Sequence, residues 1–199
     1  GYFELYVNGE RIGDDYLVPN MTDYTKRFDL EKGPIAISGN MSRHRVMYLA
    51  YDITKQIQEG RNALGVILGN GFYDAVNLNI PCSKFGDECL RLQLQLTYAD
   101  GTTQTVISDN TWETKPSAIT LNGVHAGEIY NANLETPLWA TTEDNSQGWQ
   151  RVKCIEGPTG MMTAHTAPTD KIVETLKPIS LHEREDRAWV EDVGKGITE

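Results

Sequence analysis

The stretch Leu90-Arg91-Leu92-Gln93-Leu94-Gln95-Leu96-Thr97-Tyr98 decides the fold class of this chain of 199 residues. Leucine stands at every second position from Leu90 to Leu96, with polar residues between. Glutamine is also common in amphipathic helices, but a strict period of two places the leucines on one face of a strand. Asp100-Gly101 follows, a dipeptide that favours a tight hairpin turn. The stretch therefore predicts a half-buried strand, with residues 105–107 returning as its β-branched partner.

The same alternation and the same kind of turn recur elsewhere in the chain. Residues 2–7 alternate between two faces and run directly into Asn8-Gly9, a second hairpin signal. A further strand is indicated by one apolar face, formed by Leu64, Val66 and Leu68.

Helix signals are scarce. The best candidate is the segment 52–60, in which Asp52 is a suitable N-cap and Gly60 a suitable end. Such a helix has about two turns at most, so it would only connect strands. Many short strands separated by turns predict an all-β fold, a mostly antiparallel β-sandwich or jelly roll with the leucines of 90–96 facing inward.

Two composition changes divide the chain. Residues 1–157 carry the strand and turn patterns of a first sandwich, and residues 158–170 are small, polar and proline-containing, which is typical of a linker. Residues 171–199 regain strand character at 172–181 and around Trp189, so they predict the beginning of an incomplete second β-domain. We expect this last segment either to be disordered after about Asp170 or to pair with a neighbouring molecule. The alternative is that it folds back onto the first sandwich.

Charge and cysteine content exclude several classes of protein. The formal net charge is −10, from 28 acidic and 18 basic side chains, whereas nucleic-acid binding needs clustered cations. No apolar run reaches membrane-spanning length. The cysteines do not form a zinc pattern or a disulfide framework. Three idle thiols are the preferred interpretation, and one disulfide with a thiol left over is the alternative; the cysteines are Cys82, Cys89 and Cys154.

A series of short motifs, in order along nearly the whole chain, resembles the N-terminal sandwich domain of bacterial α-L-rhamnosidases. The series opens with Tyr2-Phe3-Glu4-Leu5-Tyr6-Val7-Asn8-Gly9 and closes its first domain at Gly148-Trp149. The motifs between and after these are residues 22–27, 51–54, 60–65, 68–73, 98–102, 108–112, 127–132 and 174–179. Two departures are a longer segment at 28–47, and Phe72 and Asn131 where relatives often have Trp and Asp.

The resemblance implies a fold, a role and a location. The fold is a galactose-binding-like jelly roll, and the role is that of a non-catalytic N-terminal accessory portion. The parent enzyme hydrolyses terminal α-L-rhamnosyl residues of glycans or glycosides with inversion, using two carboxyls that lie in a separate helical barrel domain. No catalytic residue can therefore be assigned to this chain, which we expect to be inactive alone. Its partners would be rhamnosyl glycans, through the parent enzyme, and the catalytic domain, and its location secreted or periplasmic.

One group of loop residues is a candidate carbohydrate-binding set. Sugar rings stack on aromatic side chains, while carboxylates and amides bind their hydroxyl groups. The competing interpretation is that these aromatics pack this domain against its neighbours. No cofactor is expected, and calcium is a weaker alternative, because six or more oxygen ligands cannot be assembled by inspection. The candidates are Asp23, Tyr24, Asn70, Phe72, Tyr73 and Asp74.

Two other functions are left open by the sequence. One is a free-standing, lectin-like carbohydrate-binding module, and the other is a purely structural domain between larger ones. The acidic residues Asp14, Asp15, Glu128 and Asp144 lie at turns, where carboxylates are ordinarily exposed, so we do not interpret them as an acid–base pair.

Overall fold

The structure is a computed structural model that describes residues 1–22, 24, 45–74, 85–143 and 147–194. Within these ranges it is built almost entirely of short strands. The elements are β1 (Tyr2–Val7), β2 (Glu10–Ile12), β3 (Arg45–Tyr48), β4 (Leu64–Gly69), β5 (Gln93–Thr97), β6 (Thr103–Ile107), β7 (Glu113–Thr114), β8 (Ile119–Gly123), β9 (Gly127–Tyr130), a 3-10 turn (Ala132–Leu134), β10 (Gln150–Arg151), β11 (Met161–Ala164), β12 (Ser180–Glu183) and β13 (Trp189–Asp192).

The three-stranded sheet β2-β1-β4 forms the most buried part of the described chain. β1 pairs antiparallel with both neighbours, and Asn8 and Gly9 form the predicted hairpin turn with φ angles of 52° and 87°. Because side chains alternate along a strand, Phe3, Leu5 and Val7 share one face. Val7 is fully buried there. The hairpin and the apolar faces predicted for β1 and β4 are confirmed.

The hairpin β5–β6 confirms the strand that decided the fold class. Leu94 lies opposite Val106 in the antiparallel register. Exposed and half-buried residues alternate along β5, as a period of two requires. Gly101 adopts a φ of +83° in the Asp-Gly turn. The regular strand is shorter than the alternating sequence, since Leu90 and Leu92 precede β5, although the Leu92 carbonyl still accepts a hydrogen bond from the Ser108 N–H at 3.0 Å.

The remaining strands form two-stranded pairs, most of them antiparallel. β8 pairs with β9, β7 with β10 and β12 with β13. One pair is parallel, between β3 and β11, with Met161 opposite Arg45. β11 lies inside the segment 158–170, so part of the predicted linker is a strand that joins the first sandwich. The division of the chain into domains stays a prediction.

The segment 52–60 is a turn where a short helix was expected. The Asp52 carboxylate accepts hydrogen bonds from the N–H and the hydroxyl of Thr54, at 3.0 and 2.6 Å. Only one turn follows, in which the Ile57 N–H donates to the Ile53 carbonyl at 3.2 Å. The side chain of Asn62 then bonds the backbone N–H and carbonyl of Gln58. Side-chain hydrogen bonds to the backbone compete with helix formation, which explains the error.

The last segment forms a hairpin of its own. β12 pairs with β13, as the strand character around Trp189 predicted, but regular structure begins only at Ser180 within the apolar stretch 172–181. Cys89 and Cys154 are free thiols, and Cys82 lies outside the described residues. No helix in the described ranges is long and apolar enough to cross a membrane.

Candidate functional site

The aromatic candidates Tyr24 and Tyr73 meet in a cluster of rings. Their centroids lie 5.8 Å apart, and Phe85 packs against both, edge-on to Tyr24 at 4.9 Å and stacked on Tyr73 at 5.7 Å. Tyr24 is only 6% exposed. The Tyr73 hydroxyl reaches the Cys89 sulfur at 4.0 Å. The ring of Tyr24 is therefore an interior packing group, and Phe85 and Cys89 are members of the cluster that the sequence did not single out.

Burial also makes these phenols less acidic than an ordinary tyrosine. Desolvation, followed by the neighbouring Cys89, raises the pKa of Tyr73 to about 12, and desolvation raises the pKa of Tyr24. Both hydroxyls are therefore neutral at ordinary pH. They can take part in packing and hydrogen bonding, but a neutral phenol is a poor nucleophile or base.

The candidates Asn70, Phe72 and Asp74 lie on the turn that follows β4. The Asn70 N–H donates to the Asn122 side-chain oxygen at 2.7 Å, which ties the turn to β8. The Asn70 carbonyl accepts from Tyr73 and Asp74 N–H groups at 2.9 and 3.2 Å. These bonds fix the positions of the candidate side chains on the turn.

Gly71 allows the turn to lie close to the strand β1. Its φ is +50°, and a Cβ there would lie 2.8 Å from the backbone of Gly1. The ring of Phe72 meets His125 edge-on at 6.4 Å. The structure thus separates the candidates into the buried Tyr24 and the half-buried turn that carries Asn70, Phe72, Tyr73 and Asp74. Asp23 lies outside the described residues.

A cluster of polar side chains lies on the face of β1 that is opposite to the face of Val7. The Tyr2 and Tyr6 hydroxyls both donate to the Glu4 carboxylate, at 3.2 and 2.8 Å, and the Arg11 guanidinium lies 3.5 Å from it. Burial, reinforced by Glu4, raises the pKa of each tyrosine to about 12. The ring of Trp139 meets Tyr6 edge-on at 5.2 Å. Glu4 is thus committed to internal hydrogen bonds.

Three aspartates form the same kind of turn, which is closed by hydrogen bonds to the side-chain carboxylate. Asp52, Asp100 and Asp109 each accept hydrogen bonds from the N–H and the hydroxyl of the threonine two positions later. These hydrogen bonds lower the pKa of each carboxyl. The Asp-x-Thr spacing is visible in the sequence and would have identified these turns beforehand.

Among the described carboxyls whose pKa is shifted, none has the raised pKa of a glycosidase general acid. Such an acid must remain protonated near neutral pH, so its pKa is raised. Among the described residues, every carboxyl with a shifted pKa is shifted downward. No group of three or more His, Cys, Asp or Glu side chains in the same ranges could hold a metal ion, and calcium binding stays untested. The described arrangement is suited to packing and ligand contact.

Comparison with known proteins finds similarity to α-L-rhamnosidases. The model of the α-L-rhamnosidase N-terminal domain matches residues 1–36 and 39–174. An α-L-rhamnosidase of Formosa agariphila is 32% identical over 99% of this chain and 19% of its own length. One from Streptomyces avermitilis is 27% identical over 99% of this chain and 18% of its own length.

Solved structures of α-L-rhamnosidases are also similar to this chain. An α-L-rhamnosidase from Dictyoglumus thermophilum has a TM-score of 0.76 at 34% identity, covering 98% of this chain and 19% of that one. The Streptomyces avermitilis enzyme complexed with L-rhamnose has a TM-score of 0.77 at 28% identity, covering 98% of this chain and 17% of that one. The chain therefore spans about a fifth of the length of the relatives it matches. With the family model matching most of its residues, this all-β chain belongs to the α-L-rhamnosidase N-terminal domain family.

Proposed function

We propose that this chain is the non-catalytic N-terminal accessory portion of an α-L-rhamnosidase that hydrolyses terminal α-L-rhamnosyl residues of glycans or glycosides. One observation carries the proposal: the match extends over 99% of this chain but only 19% of an α-L-rhamnosidase.

An activity assay tests the proposal. The chain and the full-length parent protein are each incubated with an aryl α-L-rhamnoside and with the matching β-D-glucoside. We expect turnover of the rhamnoside by the parent alone. Turnover by this chain that disappears when one of its own Asp or Glu residues is replaced would refute the accessory role. A parent that cleaves the glucoside and leaves the rhamnoside intact would refute the substrate.

Contact between sugar and the turn 70–74 is a finer part of the proposal. The half-buried ring of Phe72 and the amide of Asn70 have suitable chemistry for a sugar, whereas Tyr24, at 6% exposure, would serve only to pack against Tyr73. An NMR titration with L-rhamnose should shift the amides of 70–74. Phe72→Ala should weaken the effect, and Tyr98→Ala, which removes an exposed ring at a different turn, should not. Unchanged amides at 70–74 would leave packing as the role of these residues.

The hairpin β12–β13 supports a second β-domain beginning near residue 171. In its register, one face carries Glu183 and Glu191 together with three apolar side chains, those of Leu181, Trp189 and Ile179. These side chains are 56%, 63% and 72% exposed, respectively. A two-stranded hairpin is only marginally stable alone, so these three apolar side chains would pack on further strands of the parent enzyme. Amide exchange of the hairpin should therefore be slower in the full-length parent than in this chain, and equal rates would count against the domain assignment.

A secreted or periplasmic location is proposed from family resemblance alone. Fractionation of the source cells, followed by immunodetection of the parent protein, tests it. Recovery of the parent with cytoplasmic markers would overturn the proposed location.

A further inference from the structure

The loop after β2 and the segment 169–171 are far apart in sequence but are bonded to each other. The Tyr16 N–H donates to the Asp170 carbonyl at 3.0 Å, forming an isolated antiparallel bridge. On either side of that bridge, Thr169 and Lys171 both reach Asp15. The chain is thus held at its exit from the first sandwich by a loop near its beginning.

Asp15 uses both carboxylate oxygens in this connection. Its Oδ1 accepts from the Thr169 hydroxyl at 2.5 Å and from the Lys171 ammonium at 2.7 Å, and its Oδ2 accepts from the Tyr51 hydroxyl at 2.9 Å. We call the group of Asp15, Tyr51, Thr169 and Lys171 the Asp15 clasp. The neighbouring Asp14 also binds Lys171, but its side chain is 82% exposed against 14% for Asp15.

The loop that carries Asp15 is itself held in place by hydrogen bonds from Arg11. The Arg11 guanidinium donates to the carbonyls of Gly13 and Asp15, each at 2.8 Å, and lies 4.5 Å from the centre of the Tyr16 ring. Gly13 has a φ of +77°, and a Cβ there would lie 2.7 Å from the Tyr51 ring. The carboxylate is therefore presented in a fixed orientation by a loop with little freedom to relax.

Immediately beyond Lys171 the described chain is exposed and irregular. Ile172 and Val173 are 64% and 97% exposed, and no strand is present before β12 at Ser180.

We propose that Asp15 is a positioning residue that holds the segment 169–171 against the loop after β2 and so anchors the chain at its exit from the first sandwich. The side-chain contacts join four residues, while the backbone bridge between Tyr16 and Asp170 provides a direct reporter of whether the connection is closed. This role is independent of the activity of the parent enzyme.

The charges around Asp15 give the clasp a pH dependence. The charged groups that face it are the Lys171 ammonium and the Asp14 carboxylate, while Arg11 binds its carbonyl and Tyr51 its Oδ2. Hydrogen bonds from Lys171 and Thr169 lower the pKa of Asp15 to about 2, from the ordinary 3.8. A lowered pKa stabilises the closed state above about pH 3.8, and that stabilisation is lost as the pH falls through about 2.

Amide exchange measured by NMR on the 199-residue chain tests the proposal. In Asp15→Asn, protection of the Tyr16 amide should fall about tenfold or more, because hydrogen bonds to a charged group are stronger than those to a neutral one. In Asp14→Asn, the matched control, the change should stay below about threefold, since exposed ion pairs contribute little. Protection within β1 and β4 should be unchanged in both variants, which would show that the fold is intact.

The pH profile supplies a second readout. In the wild-type chain, Tyr16 protection, corrected for intrinsic exchange, should decline between about pH 4 and pH 2, and in Asp15→Asn this decline should be absent. Unchanged Tyr16 protection in Asp15→Asn would overturn the proposal. So would equal losses at Tyr16 and in β1 and β4, because Asp15 would then support the whole sandwich and not the exit in particular.

Discussion

At the scale of single residues, Gly65 shows how closely the chain packs over the central sheet. It lies within β4, and a Cβ there would be 2.5 Å from the Trp139 ring and 3.0 Å from the Ala140 Cβ. Gly65→Ala should therefore push the indole aside and cost about 1–3 kcal/mol of unfolding free energy, the usual range for overpacking. Urea melts followed by tryptophan fluorescence measure this loss.

Gly157→Ala is the matched control for that substitution. A Cβ at Gly157 meets nothing within 4 Å, so the variant should be neutral or slightly stabilised through the unfolded state. If both variants melted at the same urea concentration, the close approach of Trp139 to β4 would not exist in solution.

The buried ring of Tyr24 gives a second prediction at this scale. Its contacts with Tyr73 and Phe85 and its 6% exposure indicate that Tyr24→Ala should cost about 3–5 kcal/mol, as removal of a buried aromatic ring generally does. Tyr98→Ala, at a 48% exposed position, should cost well under half as much. Comparable losses in denaturant melts would contradict the packing role of Tyr24.

At the scale of elements, the period of two in β5 makes opposite predictions for adjacent residues. Leu94 is half-buried opposite Val106, whereas Gln93 is exposed. Leu94→Ala should therefore cost about 2 kcal/mol, the lower end of the range for buried leucines, and Gln93→Ala should be nearly neutral. Equal shifts of the urea midpoint would mean that the two faces of β5 are misassigned.

Local signals account for the elements that the sequence predicted correctly. Asn8-Gly9 and Asp100-Gly101 set their hairpins within a few residues, and alternation in β5 needs no information from elsewhere in the chain. The segment 52–60 was misassigned as a helix, although the competing Asp52–Thr54 turn is also a local signal. The Asp-x-Thr turn signal therefore outweighs the helix caps of this segment.

Long-range contacts account for what the sequence could not provide. Thr169 bonds Asp15 across 154 positions, and β11 pairs with β3 across a separation of more than a hundred. A small, polar segment such as 158–170 carries no pattern that names such partners. The same limit applied to the candidate site: the residue types at Tyr24 and Tyr73 were visible, but their burial against Phe85 depends on the folded chain.

At the scale of the whole molecule, the family match and the distribution of burial agree. The buried side chains belong to the sheet β2-β1-β4 and the segments around it, while many apolar residues of the other pairs are exposed. In the proposed accessory role, such surfaces would pack against the rest of the parent enzyme. Exposed apolar surface on the last hairpin therefore has a measurable consequence for this chain in isolation.

The last prediction compares three lengths of the chain. The 199-residue chain should associate as its concentration rises, because Ile179, Leu181 and Trp189 are large, exposed apolar side chains on one face of β12–β13. A chain ending at Lys171 should stay monomeric and keep its urea midpoint, since it retains β11 and the Asp15 clasp. One ending at Gly157 loses both and should melt at lower urea.

Light scattering and urea melts on the three chains provide the measurements. Trp189→Ser in the 199-residue chain, which removes a 63% exposed ring without shortening the chain, should reduce association and serves as the control. A 199-residue chain that stays monomeric at high concentration would show that the hairpin face is covered within its own molecule. A chain ending at Gly157 that is as stable as the one ending at Lys171 would show that β11 and the clasp add nothing to the first sandwich. Because association and stability are measured separately, the surface of the last hairpin and the anchoring of residues 158–171 are each tested without depending on the other.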